Sequence, residues 1–200
     1  MILLRKEPVF SFRFFCQTGH IIENCMDIRY MCKCALMCAV ISVLAPLSIP
    51  LSTLVPISLA TFAVMLTGAV FGPKAGLISV FLYLLIGFAG IPVFSGYASG
   101  PAALFGVTGG FLFGYLPLVF LTGYFAEKTD CSVIGMIEGM VSGTFVLYAI
   151  GTLWFMIFLD VSLGKALAAC VLPFLPGDAA KIALVCLMAP RIRRQLKERS

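Results

Sequence analysis

The apolar residues of this chain fall in long, nearly continuous runs that are separated by Gly, Pro and short polar turns. Because a bilayer core about 30 Å thick needs roughly 20 residues of helix per crossing, such runs predict membrane-spanning helices. A β-barrel is disfavoured because the runs do not alternate between apolar and polar positions. The predicted spans are residues 33–49, 56–72, 74–90, 106–126, 132–158 and 176–196.

Composition supports this interpretation, since 61% of the residues are apolar and only 12% are charged. Between residues 34 and 126 the sole charged residue is Lys74. A soluble domain could not keep its surface hydrated with so few charges, so this class is excluded. We therefore predict an all-α, polytopic membrane protein built as a six-helix bundle.

The positive charge of the chain is concentrated at its two ends, where ten of the fourteen Lys and Arg residues lie. Because cytoplasmic segments of membrane proteins are enriched in Lys and Arg, both termini are predicted to be cytoplasmic. The turns at Lys74 and at residues 127–130 then face the cytoplasm, and the connections 49–55, 91–105 and 159–175 face outward. The last of these includes the apolar run 166–172, which suits an interfacial helix.

We divide the chain into two regions. Residues 1–32 form a lead segment predicted to be cytoplasmic or interfacial, and residues 33–200 form one transmembrane domain that ends in a basic cytoplasmic tail. No boundary for a second domain is visible.

Most catalytic and metal-binding signatures are missing. The chain has eight cysteines, including the pair Cys32 and Cys34, but its one histidine, His20, lies well upstream, so we predict no metal site. It has no phosphate-binding Gly-rich motif, which means that any ATP would be used by another chain. A membrane enzyme is disfavoured because acid, base and nucleophile sets are all absent.

The most informative polar residues are Asp178 and Lys181, which follow Pro176 at the start of the sixth predicted span. A carboxylate in the first helical turn is favoured by the positive end of the helix, and Lys181 at i+3 projects from the same face. Ionisable groups in a membrane usually face the protein interior and serve a function. Three interpretations stay open: a ligand site, an ion pair that only tethers helices, and a helix start from which Lys181 reaches to the interface.

Two other features favour a polar ligand. The outward connection 91–105 carries Phe94 and Ser95 among several glycines, a composition that can fold over a pocket as a lid. In the fifth span Tyr148, Gly151 and Trp154 fall near one helix face and predict an aromatic wall with polar tips.

Five ordered motifs in the chain resemble one known family. They are residues 56–62 (PISLATF), 72–76 (GPKAG), 90–96 (GIPVFSG), 106–110 (GVTGG) and, most specifically, 173–182 (PFLPGDAAKI). These motifs resemble the BioY family, the biotin-specific substrate-binding subunits (S components) of energy-coupling-factor (ECF) vitamin transporters. The chain departs from the family pattern at Ala60 and Val107, where Gln and Pro are usual.

The resemblance implies a six-helix membrane fold whose outer half binds biotin under a lid. By matching position, Asp178 and Lys181 would contact the ligand, with Tyr148, Phe94 and Ser95 as weaker assignments. Biotin would be the transported ligand and no cofactor is implied. The group that receives the biotin carboxylate stays open among hydroxyls, backbone N–H groups and water.

The resemblance also implies partners in the cell (inner or plasma) membrane: a transmembrane coupling protein and two ATPase subunits. Ala35 and Ala39 have the i, i+4 spacing that allows close helix approach and look like the docking face of the family. The alternative for this pair is ordinary packing within the bundle. For the chain as a whole, the alternatives are a membrane protein that binds another small vitamin-like ligand and an assembly protein without a ligand.

Overall fold

A computed structural model of the chain describes residues 28–49, 57–129 and 132–198. Almost all of the regular structure in these ranges is helical, which confirms the predicted all-α class. The elements in chain order are α1 (Ile28–Leu44), β1 (Ser48–Ile49), β2 (Ile57–Ser58), α2 (Ala60–Phe88), a 3-10 turn (Ser95–Tyr97), α3 (Gly100–Leu104), α4 (Gly109–Lys128), α5 (Val133–Leu159), α6 (Leu163–Cys170) and α7 (Leu175–Glu198). The two short strands were not predicted; they pair antiparallel, with Ser48 opposite Ser58.

By length and composition alone, three helices in the described ranges could cross a bilayer, namely α2, α4 and α5. The α2 helix is divided into two arms at Gly72, so it does not form one straight span. A fourth crossing is obtained if α6 and α7 are taken together as one span bent by 44°. The α1 helix has 17 residues, close to the lower end of the usual range for a span. The count of six spans and the side on which the termini lie stay predictions.

The α2 helix reverses direction at Gly72, where φ is 81° and ψ is −179°. A Cβ atom placed on Gly76 would lie 3.6 Å from the Cα of Gly68. In a straight helix two positions eight residues apart are separated by about 12 Å along the axis, so residues 60–71 and 73–88 must run side by side. This reversal coincides with the predicted turn at residues 72–74.

The α4 helix packs against both arms of α2. A Cβ on Gly68 would lie 2.7 Å from the backbone oxygen of Val119, and a Cβ on Gly76 would lie 2.6 Å from the Val119 Cγ2 atom. The α5 helix packs along α4, α7 packs against α2, and α1 packs against α2 on another side. Small residues thus let the central helices approach until their backbones touch.

One end of the bundle, which we call the closed end, comprises Val70, Gly72, Glu127 and Arg193. The Arg193 Nε atom donates a hydrogen bond of 3.0 Å to the Val70 carbonyl, and the Glu127 carboxylate lies against Gly72. The reversal of α2 and the ends of α4 and α7 therefore meet there. The opposite end, which we call the cavity end, contains the strand pair, the 3-10 turn, α3 and α6.

Three local boundaries differ from the sequence analysis. The α1 helix includes residues 28–32, which were placed in the lead segment; Arg29 and Lys33 have long side chains that can reach the interface from a helix. Residues 1–27, and with them His20 and the rest of the lead segment, lie outside the described residues. The connection 91–105 contains two short helices, and the interfacial helix starts at Leu163, three residues earlier than predicted.

Candidate ligand-binding site

A cavity opens at the cavity end of the bundle between α2, α4, α5 and α7. Its interior measures about 60 Å³. Small-molecule sites usually measure about 300–1,000 Å³, so the walls of the cavity must move apart before a ligand of that size fits. The cavity is lined by all five residues predicted to contact a ligand: Phe94, Ser95, Tyr148, Asp178 and Lys181.

Asp178 and Lys181 form an ion pair in the wall of this cavity. Both lie at the start of α7, where the Asp178 backbone N–H donates to the Phe174 carbonyl at 2.8 Å. The Lys181 Nζ atom lies 2.9 Å from Asp178 Oδ1. Since Asp178 is 4% exposed and Lys181 is 7% exposed, the charges are removed from water and depend on each other and on nearby polar groups.

The remaining partners of the pair come from β2, α2 and α5. Lys181 Nζ also donates to the Ser58 carbonyl at 2.9 Å and to the Thr61 hydroxyl at 2.8 Å, so all three of its donors are used. The Tyr148 hydroxyl donates to Asp178 Oδ2 at 2.5 Å. The ion pair therefore ties α7 to its neighbours and also faces the cavity.

This geometry excludes one of the three open interpretations of Asp178 and Lys181. The interpretation in which Lys181 reaches up to the membrane surface is wrong, because its side chain is buried and directed towards Ser58 and Thr61. The tether and the ligand site are both compatible with the structure, since the same carboxylate that joins the helices lines the cavity.

Aromatic side chains form the rest of the wall. Phe94 packs edge-on against Tyr83, with ring centroids 5.6 Å apart, and the Tyr83 hydroxyl donates to the Val93 carbonyl at 3.2 Å. Gly87 makes room for the Phe94 ring, because a Cβ at this position would collide with it. The predicted lid residue Phe94 is thus inserted between helices and only 2% exposed.

Several lining residues were not singled out from the sequence: Ser58, Thr61, Tyr83, Thr108 and Tyr115. Ser58 and Thr61 lie in the first family motif, so the motif itself could have indicated that they line the site. The two tyrosines stand inside apolar runs rather than at their ends, where interface anchors occur. Ser95 has a buried hydroxyl oxygen that has no hydrogen-bond partner in the described part of the chain, and it faces the same cavity.

Comparison with known proteins gives a family for this fold and site. The BioY family model matches residues 18–198. The chain belongs to the BioY family. It is 38% identical over 162 residues to the biotin transporter BioY2 of Lactococcus lactis, covering 81% of this chain and 88% of the relative. It is 35% identical over 171 residues to the biotin transporter BioY of Thermotoga maritima, covering 86% and 99%.

A solved structure supports the same family assignment. The crystal structure of the S-component for biotin from an ECF-type ABC transporter superposes with a TM-score of 0.77 at 30% identity, over 85% of this chain and 92% of the other. The predicted family is therefore confirmed, as is the interpretation of the chain as a multi-pass membrane transport protein rather than an enzyme.

The two departures from the BioY pattern lie outside the cavity lining. Ala60 is buried at the start of α2, where its N–H donates to the Ser58 hydroxyl at 2.8 Å. Val107 packs at the edge of a separate apolar cluster around Phe155 and Phe174. Neither side chain faces the ion pair, so the cavity keeps its charged groups despite both departures.

The predicted aromatic wall on α5 is only partly correct. Tyr148 lines the cavity, but the Trp154 Nε1 atom donates to the carbonyl of Gly106, in the connection between α3 and α4, at 2.9 Å. Gly151 lies against the Phe111 ring. Spacings of three and six residues drift around a helix with 3.6 residues per turn, so the three positions do not share one narrow face.

Ala35 and Ala39 lie on the outer surface of α1 and are exposed. Among the described residues their exposure favours docking over ordinary packing within the bundle, and the docking assignment stays a prediction. Over the described ranges, no disulfide joins Cys32, Cys34, Cys38, Cys170 and Cys186, and no three His, Cys, Asp or Glu residues cluster as metal ligands would. Cys16, Cys25 and Cys131 lie outside those ranges.

Proposed function

We propose that this chain is the membrane subunit that captures biotin from outside the cell and mediates its uptake with an ECF energy-coupling module. The observation that carries this proposal is the buried Asp178–Lys181 pair in the wall of the cavity, in a chain whose relatives are named biotin transporters.

The chemistry of the cavity suits the bicyclic head of biotin. The ureido group of biotin has two N–H donors, which a carboxylate can accept, and a carbonyl, which an ammonium can bind. Because the donors of Lys181 are already used, a ligand carbonyl must share or replace the contact with Thr61 or Ser58. The sulfur ring and alkyl chain of biotin would pack against Tyr83, Phe94 and Tyr115.

The biotin carboxylate must be bound by groups other than Lys181. Among the described residues that line the cavity, Lys181 is the one cationic side chain, and it is bound to Asp178. We assign the carboxylate to the hydroxyls of Ser95 and Thr108, which face the same space. Thr108 directly precedes α4, so the N–H groups at the start of that helix add a positive end to this region.

We further propose that the closed end faces the cytoplasm. Lys74 follows the α2 reversal at this end, and Arg191, Arg193 and Arg194 lie in the last part of α7. Enrichment of Lys and Arg marks the cytoplasmic side, so the chain would lie in the cell membrane with both termini inside and six crossings. The cavity then opens outward, where biotin arrives.

The exposed Ala35 and Ala39 are the proposed docking positions for the transmembrane coupling protein, which would assemble with two ATPase subunits. Ala39→Trp should block co-purification with the coupling complex, because a bulky side chain prevents close helix approach. Lys33→Trp is the control, since Lys33 is also exposed on α1 but lies two and six positions from the alanines, on the far side of the helix. Equal assembly of both variants would contradict the docking assignment.

The function is tested by equilibrium binding of biotin to the detergent-purified protein, with biotin methyl ester, thiamine and riboflavin as competitors. Tight, biotin-selective binding is expected. Asp178→Asn should weaken it by about 2–5 kcal/mol, since one member of a buried charged pair is lost. Asp160→Asn is the matched control, because Asp160 is an exposed carboxylate at the end of α5.

Preferential binding of thiamine or riboflavin by the folded protein would replace biotin with another vitamin as the ligand. Equal biotin affinities of the two Asn variants would remove Asp178 from the site.

A further inference from the structure

The connection between α3 and α4, residues 105–108, forms part of the cavity wall through Thr108. Thr108 directly precedes α4, a position where a threonine side chain usually caps the helix by accepting a hydrogen bond from a backbone N–H. Its hydroxyl makes no such bond to the described start of the helix. The hydroxyl is therefore not used to fix the start of α4, and it stays available to a ligand in the cavity.

A tryptophan on α5 holds this connection in place. The Gly106 carbonyl accepts two hydrogen bonds, one of 3.0 Å from the Gly109 N–H and one of 2.9 Å from the Trp154 Nε1 atom. The first closes the turn that contains Thr108, and the second ties this turn to α5, 48 residues further along the chain. Since a carbonyl oxygen has two lone pairs, both are used. The turn is thus held from within and from a neighbouring helix.

The packing around the indole leaves it little room to move. A Cβ on Gly110 would collide with the Trp154 side chain, and a Cβ on Gly109 would lie 3.4 Å from Trp154 Cε2. These two glycines therefore let the indole lie against the first turn of α4. The Phe113 ring also packs against it, with ring centroids 6.0 Å apart. Trp154 is not among the described residues that line the cavity, so it can act on a ligand only through the connection that it holds.

We propose that Trp154 is a positioning residue for the ligand: through the Gly106 carbonyl it fixes the place of the Thr108 hydroxyl, by which the site distinguishes a free carboxylate from an ester. This inference rests on the proposed function, in which Thr108 and Ser95 bind the biotin carboxylate. A hydrogen bond to a charged acceptor is shorter and about twice as strong as one to a neutral acceptor. Displacement of the Thr108 hydroxyl should therefore weaken the binding of biotin more than that of its methyl ester.

The experiment measures equilibrium binding of biotin and of biotin methyl ester to the full-length, detergent-purified protein and compares the ratio of the two dissociation constants. Trp154→Phe removes the N–H donor and keeps an aromatic ring. It should weaken biotin binding by about tenfold, the order expected for one hydrogen bond to a charged group, and weaken ester binding by less than about twofold. In a Thr108→Val background, Trp154→Phe should not change the ratio further, because the residue through which it acts is gone.

Leu118→Ala is the control for general loosening of the bundle. Leu118 is buried, packs against α5 at Gly143 and is not among the described residues that line the cavity. Its truncation leaves a void and should lower the Tm of the protein, while the ratio of the two dissociation constants stays that of the wild type. A wild-type ratio in Trp154→Phe as well would overturn the proposal. Equal dissociation constants of the wild type for the two ligands would also overturn it, because the carboxylate is then not recognised.

A second measurement needs no substitution of the tryptophan. Trp154 is the only tryptophan of the chain, so the tryptophan fluorescence reports on this one indole. Because the Gly106 carbonyl bound to the indole lies two residues from Thr108, saturating biotin should change the emission more than saturating methyl ester does. Thr108→Val should remove that difference. Equal emission changes with the two ligands would contradict the inference even if Trp154→Phe fails to fold. Folded wild-type protein that binds no biotin would instead refute the proposed function, which separates the two failures.

Discussion

The two ends of the bundle use glycine in different ways. At the closed end, glycines bring helix backbones together: a Cβ on Gly68 would meet the Val119 oxygen, and one on Gly139 would lie 3.0 Å from the Leu121 oxygen. At the cavity end, Gly87 faces the Phe94 ring and Gly151 faces the Phe111 ring, although Gly106 and Gly109 meet backbone oxygens of α3. Aromatic side chains therefore stand between helices at two positions of the cavity end, whereas Gly68 and Gly139 bring helix backbones into contact.

The contrast also concerns polar groups. At the cavity end, Asp178, Lys181, Thr61 and Tyr148 join three helices through hydrogen bonds. Nearer the closed end, the buried hydroxyl of Thr122 has no partner among the described residues. Hydrogen bonds thus join three helices around the cavity, whereas at the closed end the bond from Arg193 to Val70 joins α7 to α2.

The largest effect is expected from Lys181→Met, which leaves the buried Asp178 carboxylate without its cation. Breaking one member of a buried pair typically costs about 3–5 kcal/mol, so the free energy of unfolding in detergent should fall by this amount. The double variant Lys181→Met with Asp178→Asn should recover most of that loss, because no unpaired charge remains. It should not recover biotin binding. Stability that stays low in the double variant would show that the charges act independently.

The next effect is expected from Tyr148→Phe, which removes the hydroxyl that donates to Asp178 Oδ2 and keeps the ring. Hydrogen bonds to charged groups contribute about 1.5–3 kcal/mol, so a destabilisation in this range should be measured by chemical unfolding. An unchanged midpoint would mean that polar bonding from α5 does not hold the cavity end together.

At the closed end, Gly68→Ala tests backbone packing. The added Cβ would lie 2.7 Å from the Val119 oxygen and 3.2 Å from the Gly123 nitrogen, both backbone atoms that can move only with their helix. Overpacking of this kind costs about 1–3 kcal/mol, which thermal unfolding would detect. Gly164→Ala on α6 is the control, because nothing lies within 4 Å of its Cβ. A midpoint for Gly68→Ala equal to that of the control would contradict close packing at this end.

The smallest effect is expected from Thr122→Val. This change replaces a buried, unpartnered hydroxyl by a methyl group of similar size, so the variant avoids burying a polar atom. Its stability should equal or slightly exceed that of the wild type, by at most about 1 kcal/mol. A clear destabilisation in the same unfolding assay would indicate that the hydroxyl has a partner, and would weaken the contrast between the two ends.

Much of the fold could be predicted because its signals are local. Residues within a few positions of each break determine the turn at Gly72, the start of α7 next to Pro176 and the limits of α4 and α5. The reach of α1 back to Ile28 was not predicted, because Arg29 and Lys33 suggested a segment outside the membrane. Trp154 was placed in the aromatic wall incorrectly, because its orientation depends on a contact with the connection between α3 and α4.

For this protein, the sequence by itself determined the membrane environment, the family and the placement of Asp178 and Lys181 on one helix face. Their spacing is local, and helix geometry brings i and i+3 together without help from the rest of the chain. Only the tertiary structure decided what surrounds that pair. Thr61 meets Lys181 across 120 residues of sequence, and Gly68 meets Gly76 only because α2 reverses. Such contacts arise when packed helices fix their relative positions, which no local pattern specifies.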